Sequence, residues 1–187
     1  MTTKTTAKKK TSSKTPAKLP ELPNNPLMFE VFDLVSKQRS KAKKVEVLKK
    51  YEHPSIKAVL IWNFDESLKS AVPDGPVPYE GYDEQNVYSG TLSTKITEEV
   101  RRMHETGSFS LGTSDKQGHT TIRREYKNFY HFLKGGNDAM NNIRRETMLI
   151  NILQGLHPLE AEIVCLVKDK KLSGVYKITK EIVSEAY

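Results

Sequence analysis

Ile122, Tyr126, Phe129 and Leu133 recur at i, i+4, i+7 and i+11. That spacing puts all four on one side of a 3.6-residue helix and is incompatible with the two-residue alternation of a half-buried strand. The same period recurs along most of residues 26–187. Leu27, Phe29, Val31, Phe32 and Val35 predict a strongly apolar first helix, with Pro26 at its first position and Asn24 or Asn25 as cap. Ser40 caps a basic second helix with Ala42, Val45, Leu48 and Tyr51 on one face. His53-Pro54-Ser55 breaks it, and Ile56, Val59, Leu60, Ile61 and Phe64 form a third helix.

Ser93 or Thr94 opens the next helix, with Ile96, Val100 and Met103 inward and Arg101 and Arg102 outward. Thr120 or Thr121 caps the helix of the Ile122 stripe. Gly135-Gly136 ends it, and Asp138 caps a helix whose face is Met140, Ile143, Thr147, Ile150 and Leu153. Gly155 stops that one. Pro158 starts another, running to about Lys171, and a last helix carries Val175, Ile178, Ile182 and Val183. Residues 72–91, rich in Pro and Gly and carrying Tyr79, Tyr82 and Tyr88, and residues 107–118 are expected as two long loops, the tyrosines pinning the first onto the body. Short extended pieces are expected at 86–89 and 108–111. The fold class is therefore mainly α: a single helical domain of about seven or eight helices.

Charge divides the chain differently. Its net charge is +7. Lys4, Lys8, Lys9, Lys10, Lys14 and Lys18 supply six of those charges before residue 21, leaving +1 for residues 21–187. The first 25 residues also hold eight Ser or Thr and almost nothing large and apolar before Leu19. Such a segment cannot offset its ordering entropy by burial, so residues 1–25 are expected to be a disordered Lys-rich arm ahead of the helical domain 26–187. That domain is long enough to bury roughly two thirds of its unfolded surface without a disulfide or metal. The single Cys165 lies in an apolar run and is expected to be a buried structural thiol. One cysteine and the lack of a signal peptide suit a reducing cytoplasm, and no run approaches the roughly 20 apolar residues of a membrane span.

Catalytic chemistry finds little footing. His53, His104, His119, His131 and His157 have no metal-ligand spacing, so no metal site and no cofactor is expected. Phosphate-loop, dinucleotide and nucleophile-elbow motifs are absent. Gly135-Gly136-Asn137 reads as a cap and turn ahead of an anion cradle. The carboxylates Glu98-Glu99, Asp83-Glu84 and Glu160 with Glu162 do not converge, and solvated helix faces account for them. The chain is not expected to be an enzyme.

Basic residues are the stronger signal. The arm lysines Lys8, Lys9, Lys10 and Lys14 suit any polyanion. On the body, Lys41, Lys43 and Lys44 crowd the second helix, and Arg144-Arg145 lies on the sixth. Lys168, Lys170 and Lys171 close the seventh helix, where cations also complement the macrodipole. With Gly174 and Lys177, Lys170 and Lys171 would gather charge and free backbone amides at one corner, a geometry that can hold a phosphate backbone without reading bases.

Val167-Lys168-Asp169-Lys170-Lys171-Leu172, then Gly174-Val175, Ile178 and Ile182-Val183, resembles the end of the N-terminal DNA-binding domain of ATP-dependent DNA ligases. Ser40 to Leu48, followed by a break and Ile56 to Phe64, resembles the basic opening hairpin of several phage members. The chain is also similar to an uncharacterised protein of large tailed phages that infect cyanobacteria. No K-x-D-G adenylation motif occurs, so ligation by this chain alone is not expected. The resemblance implies an all-helical scaffold that grips duplex DNA through its backbone by way of Lys41, Lys43, Lys44, Lys170, Lys171, Gly174 and Lys177. The expected function is a non-catalytic, sequence-independent DNA-binding phage protein. A phage virion structural or assembly protein, whose basic arm contacts DNA or a partner protein, is the alternative. Expected partners are duplex DNA and phage or host proteins, with no membrane, in the host cytoplasm or the virion.

Overall fold

The structure, a computed structural model, describes residues 21–78, 91–107 and 119–187. Among them are nine α-helices and one 3₁₀ helix, so the fold is mainly α. In chain order they are α1 (Met28–Lys37), α2 (Lys41–Lys50), α3 (Pro54–Phe64), α4 (Leu92–Thr106), α5 (Ile122–Glu125), the 3₁₀ helix Tyr126–Phe132, α6 (Asn142–Gly155), α7 (Pro158–Lys168), α8 (Leu172–Val175) and α9 (Lys180–Ala186). The only extended pairing among the described residues is an antiparallel bridge between Ser70 and Leu133. The arm lysines, the loop tyrosines, Asp83-Glu84 and both expected extended pieces lie outside the described residues.

Helix α7 is the centre of the packing. Leu159, Ala161, Ile163, Val164 and Val167 are all buried, and α1, α3, α4, α6 and α8 pack around it. Helices α1 and α9 enclose α2. That explains why Val45, Val47 and Leu48 are all buried while Ala42, at the helix start, is exposed. Trp62 of α3 packs against Phe129 and Phe132. The stripe expected as one α-helix turns 3₁₀ after Glu125, and three residues per turn aligns Phe129 with Phe132.

Several helix starts differ from expectation. Helix α1 begins at Met28, not Pro26. The Leu27 amide donates to Glu30 Oε2 at 2.9 Å, and the Met28 amide to Glu160 Oε1 at 2.9 Å. Glu160 Oε2 accepts from the Ile122 amide at 3.0 Å, and so takes over the capping expected of Thr120 or Thr121. Glu160, expected on a solvated face, is fully buried and holds the starts of two other helices. Thr91 rather than Ser93 or Thr94 caps α4, and Asn141 rather than Asp138 caps α6. Asp138 instead accepts from the Gly135 amide. The ordered body also starts before residue 26: Leu22 is buried and its amide donates to the Tyr51 hydroxyl.

His53-Pro54 and His157-Pro158 are the same capping device used twice. In each, proline takes the first helical position and the imidazole Nδ1 accepts the second residue's amide, from Ser55 and Leu159, at 3.1 Å. Burial holds both imidazoles below the usual histidine range; Arg123 adds to the effect at His53, and Glu30 opposes it at His157. Phe29 stacks on His157 at 4.8 Å between ring centres.

Two outcomes follow from these caps. Replacing Glu160 with Gln leaves one buried amide facing a second donor, and should lower stability by about 1–3 kcal/mol in urea unfolding. Because the native His157 takes up its proton at lower pH than the unfolded one, its contribution is complete above the unfolded value and declines as pH falls below it. Asn caps through Oδ1 without titrating. The stability of His157→Asn should therefore fall less than wild type between about pH 7 and pH 5.

Candidate nucleic-acid interface

The two basic segments expected from sequence meet in space. Helix α2 packs on α9, and Lys44 Nζ donates to the Lys177 carbonyl at 2.6 Å. The Lys177 amide in turn donates to Ser36 Oγ on α1 at 3.1 Å. The first hairpin is thereby joined to the C-terminal corner, although about 130 residues of sequence separate them. Lys43, Lys171 and Lys177 are exposed and have no ion pair among the described residues. Lys41 is different: it pairs with Glu185 at 2.8 Å, and a hydrogen bond and charge from Lys41 hold that carboxyl below its usual range.

The corner is built by the end of α7. The Lys171 amide donates to the Leu166 carbonyl at 2.8 Å and the Lys170 amide to the Val167 carbonyl at 3.0 Å. This is a Schellman closure, whose left-handed position normally takes glycine. Here it takes Lys170, with φ +57°. Lys170 Nζ then reaches across to the Asp65 carbonyl. The expected last helix is two helices, α8 and α9, with Ile178 buried in the connection.

The backbone amides expected to be free at this corner are occupied. Besides those of Lys170, Lys171 and Lys177, the Gly174 amide donates to the Lys171 carbonyl and the Leu172 amide to Asn63 Oδ1. A Cβ at Gly174 would meet nothing within 4 Å, so no close approach requires glycine there. What the corner presents is therefore lysine side chains rather than a cradle of N–H groups.

Arg145 is corrected outright. Only 5% of it is exposed, and its guanidinium donates to the carbonyls of His131, Asn137 and Met140 and to Asn142 Oδ1. It fixes the turn between the 3₁₀ helix and α6 and is closed to a ligand. Ile143, expected inside, is instead 76% exposed. Arg144 is exposed but lines another groove, of about 790 Å³, with Glu125, His131 and Asn151. None of the corner lysines lines that groove.

Lys168 is also interior. Its ammonium donates to the carbonyls of Pro73 and Gly75 at 2.8 and 2.9 Å and to Asp169 Oδ1 at 2.5 Å. Asp169 accepts from the Gly75 amide. This latch secures residues 73–75 to the end of α7. Cys165 is half-buried, and burial pushes its thiol up to about 11, which keeps it protonated at neutral pH. No group of three or more metal-ligating side chains occurs among the described residues, and no described helix is long and apolar enough to cross a membrane.

Sequence reasoning passed over Lys69 and Lys134. Both line a groove of about 490 Å³ with Lys170 and Lys171. No local pattern marks them, because only the Ser70–Leu133 bridge brings them together.

The described residues form a mainly helical protein in which the basic α2 meets the C-terminal segment that carries Lys177. The chain matches the model of a family of unknown function (DUF6433) over residues 31–116 and 109–174, which is more than half its length, and it belongs to that family. No curated protein and no solved structure matches it.

Proposed function

We propose that this protein is a non-catalytic, sequence-independent DNA-binding protein that holds the duplex by its phosphates. One observation carries the reading: the Lys44–Lys177 contact joins the basic helix α2 to the segment between α8 and α9, which follows the Lys170–Lys171 turn in the chain. Lys43, Lys171 and Lys177 are left without carboxylate partners among the described residues. Exposed cations without carboxylate partners suit a regular array of phosphates, and lysine contacts of this kind carry no base information. The arm, with six lysines before residue 21, adds attraction that is blind to sequence. The setting, a phage-infected cell or the virion, is carried by the sequence resemblance alone.

A duplex titration at several salt concentrations tests the reading. The Lys43→Glu, Lys171→Glu, Lys177→Glu triple variant should bind at least about tenfold more weakly at low salt. Its log–log salt slope should be shallower by roughly 0.9 for each phosphate that is no longer neutralised. Deleting residues 1–20, which lie ahead of buried Leu22, should weaken binding without abolishing it. Unchanged affinity in the triple variant, or complete loss on deleting the arm, contradicts a binding surface on the body.

A further inference from the structure

The groove between the 69–71 segment and the α7–α8 corner has features that the fold does not require. Lys69 and Lys134 stand in register on either side of the Ser70–Leu133 bridge, with the Lys134 amide donating to the Lys69 carbonyl at 2.9 Å. Like charges placed opposite one another on paired extended segments destabilise the pairing. Neither lysine has an ion pair among the described residues. Their positions are nonetheless rigidly set. Ser70 Oγ accepts from Trp62 Nε1 at 3.1 Å and donates to the Lys168 carbonyl at 2.8 Å. The turn after Lys134 depends on Gly136, where a Cβ would run into the Tyr130 carbonyl.

The opposite wall repeats the pattern. Lys170 occupies a left-handed position that glycine would fill with less strain, and Lys171 follows it, exposed and without an ion pair among the described residues. The groove holds five lysines and two aspartates. Of the aspartates, Asp169 is taken up by Lys168 and the Gly75 amide, which leaves Asp74 as the free acid. Lys69, Lys134 and Lys171, with Lys170 tied to the Asp65 carbonyl, thus line about 490 Å³ of space together with one unengaged carboxylate. Cations kept together at a conformational and electrostatic cost are what an anion carrying several adjacent charges would offset.

We infer that Lys69, Lys134, Lys170 and Lys171 form a binding groove for an oligophosphate, a run of adjacent phosphate groups that bridges its two walls. The inference rests on the reading of this face as phosphate-binding and deepens it by naming where the phosphates sit. A nucleic-acid backbone and a free polyphosphate present the same chemistry, and the test separates them. Lysine side chains supply the contacts, so no base or sugar recognition is implied.

The full-length chain is titrated with inorganic tripolyphosphate and, separately, with a short DNA duplex. Amide shifts of Ala71, Gly135 and Gly136 report occupancy of the groove, which distinguishes it from the arm. Wild type should show saturable shifts at these amides with tripolyphosphate. Lys69→Gln/Lys134→Gln should weaken that binding at least tenfold, whereas the two-charge control Arg124→Gln/Lys127→Gln, at exposed positions outside the groove, should leave it unchanged. Without ligand, Lys134→Gln should unfold at a slightly higher temperature, because the cross-pair repulsion is gone. The ligand-free rise and the affinity loss together separate a binding role from a structural one. Absence of shifts at these amides, or equal tripolyphosphate affinity in the groove variant, overturns the inference even if duplex binding persists on the α2 side. Tripolyphosphate binding in the groove without any duplex binding overturns the proposed function and leaves the groove as a site for free oligophosphate.

Discussion

A single buried carboxylate organises this fold. Glu160, in the first turn of α7, accepts the leading amide of α1 with one oxygen and the leading amide of α5 with the other. First-turn amides have no partner within their own helix, and burying them unpaired is costly. Arg123, one residue into α5, donates to the Pro26 carbonyl at 3.0 Å. The starts of α1 and α5 are thus fixed to α7 and to each other. A charged group is tolerated at such depth only when its hydrogen bonds are made, and here each oxygen has a backbone donor.

The far end of α7 carries the lysines on which the proposed phosphate binding rests. Lys168 and Asp169 latch residues 73–75, Lys170 closes the helix in a left-handed turn, and Lys171 leads into α8. Helix α9 then brings the corner against α2. One helix therefore sets the interior at its N-terminus and aims the lysines at its C-terminus. Elsewhere the thiol of Cys165 stays protonated at neutral pH, and the imidazoles of His53 and His157 are engaged as caps.

Much of the architecture was legible from the sequence. The apolar periods located the longer helices, and Ser40 and Pro158 marked two of their starts correctly, whereas Pro54, read as part of a break, opens α3. The buried charges were not recognised. Glu30, Arg145, Glu160 and Lys168 read as surface residues by type, yet each is enclosed. Position held the clue for Glu160, which shares a stripe with Ile163, Val164 and Val167 at i, i+3, i+4 and i+7. Arg145 likewise precedes Leu149 and Ile152 by four and seven residues. Their partners are backbone groups far away in sequence, and no local pattern could name those. The lysine surface was half legible for the same reason: clusters on α2 and at the corner show in sequence, whereas Lys69 and Lys134 meet only through tertiary pairing.

Amide hydrogen exchange tests the central claim most directly. The amides of Met28 and Ile122 are each the first of their helix, a position that ordinarily exchanges through local fraying. With Glu160 as their acceptor, both should exchange only as the whole domain unfolds, as slowly as amides in the middle of α7. Exchange at the rate of the leading amides of α2, whose cap Ser40 is exposed, would contradict the account.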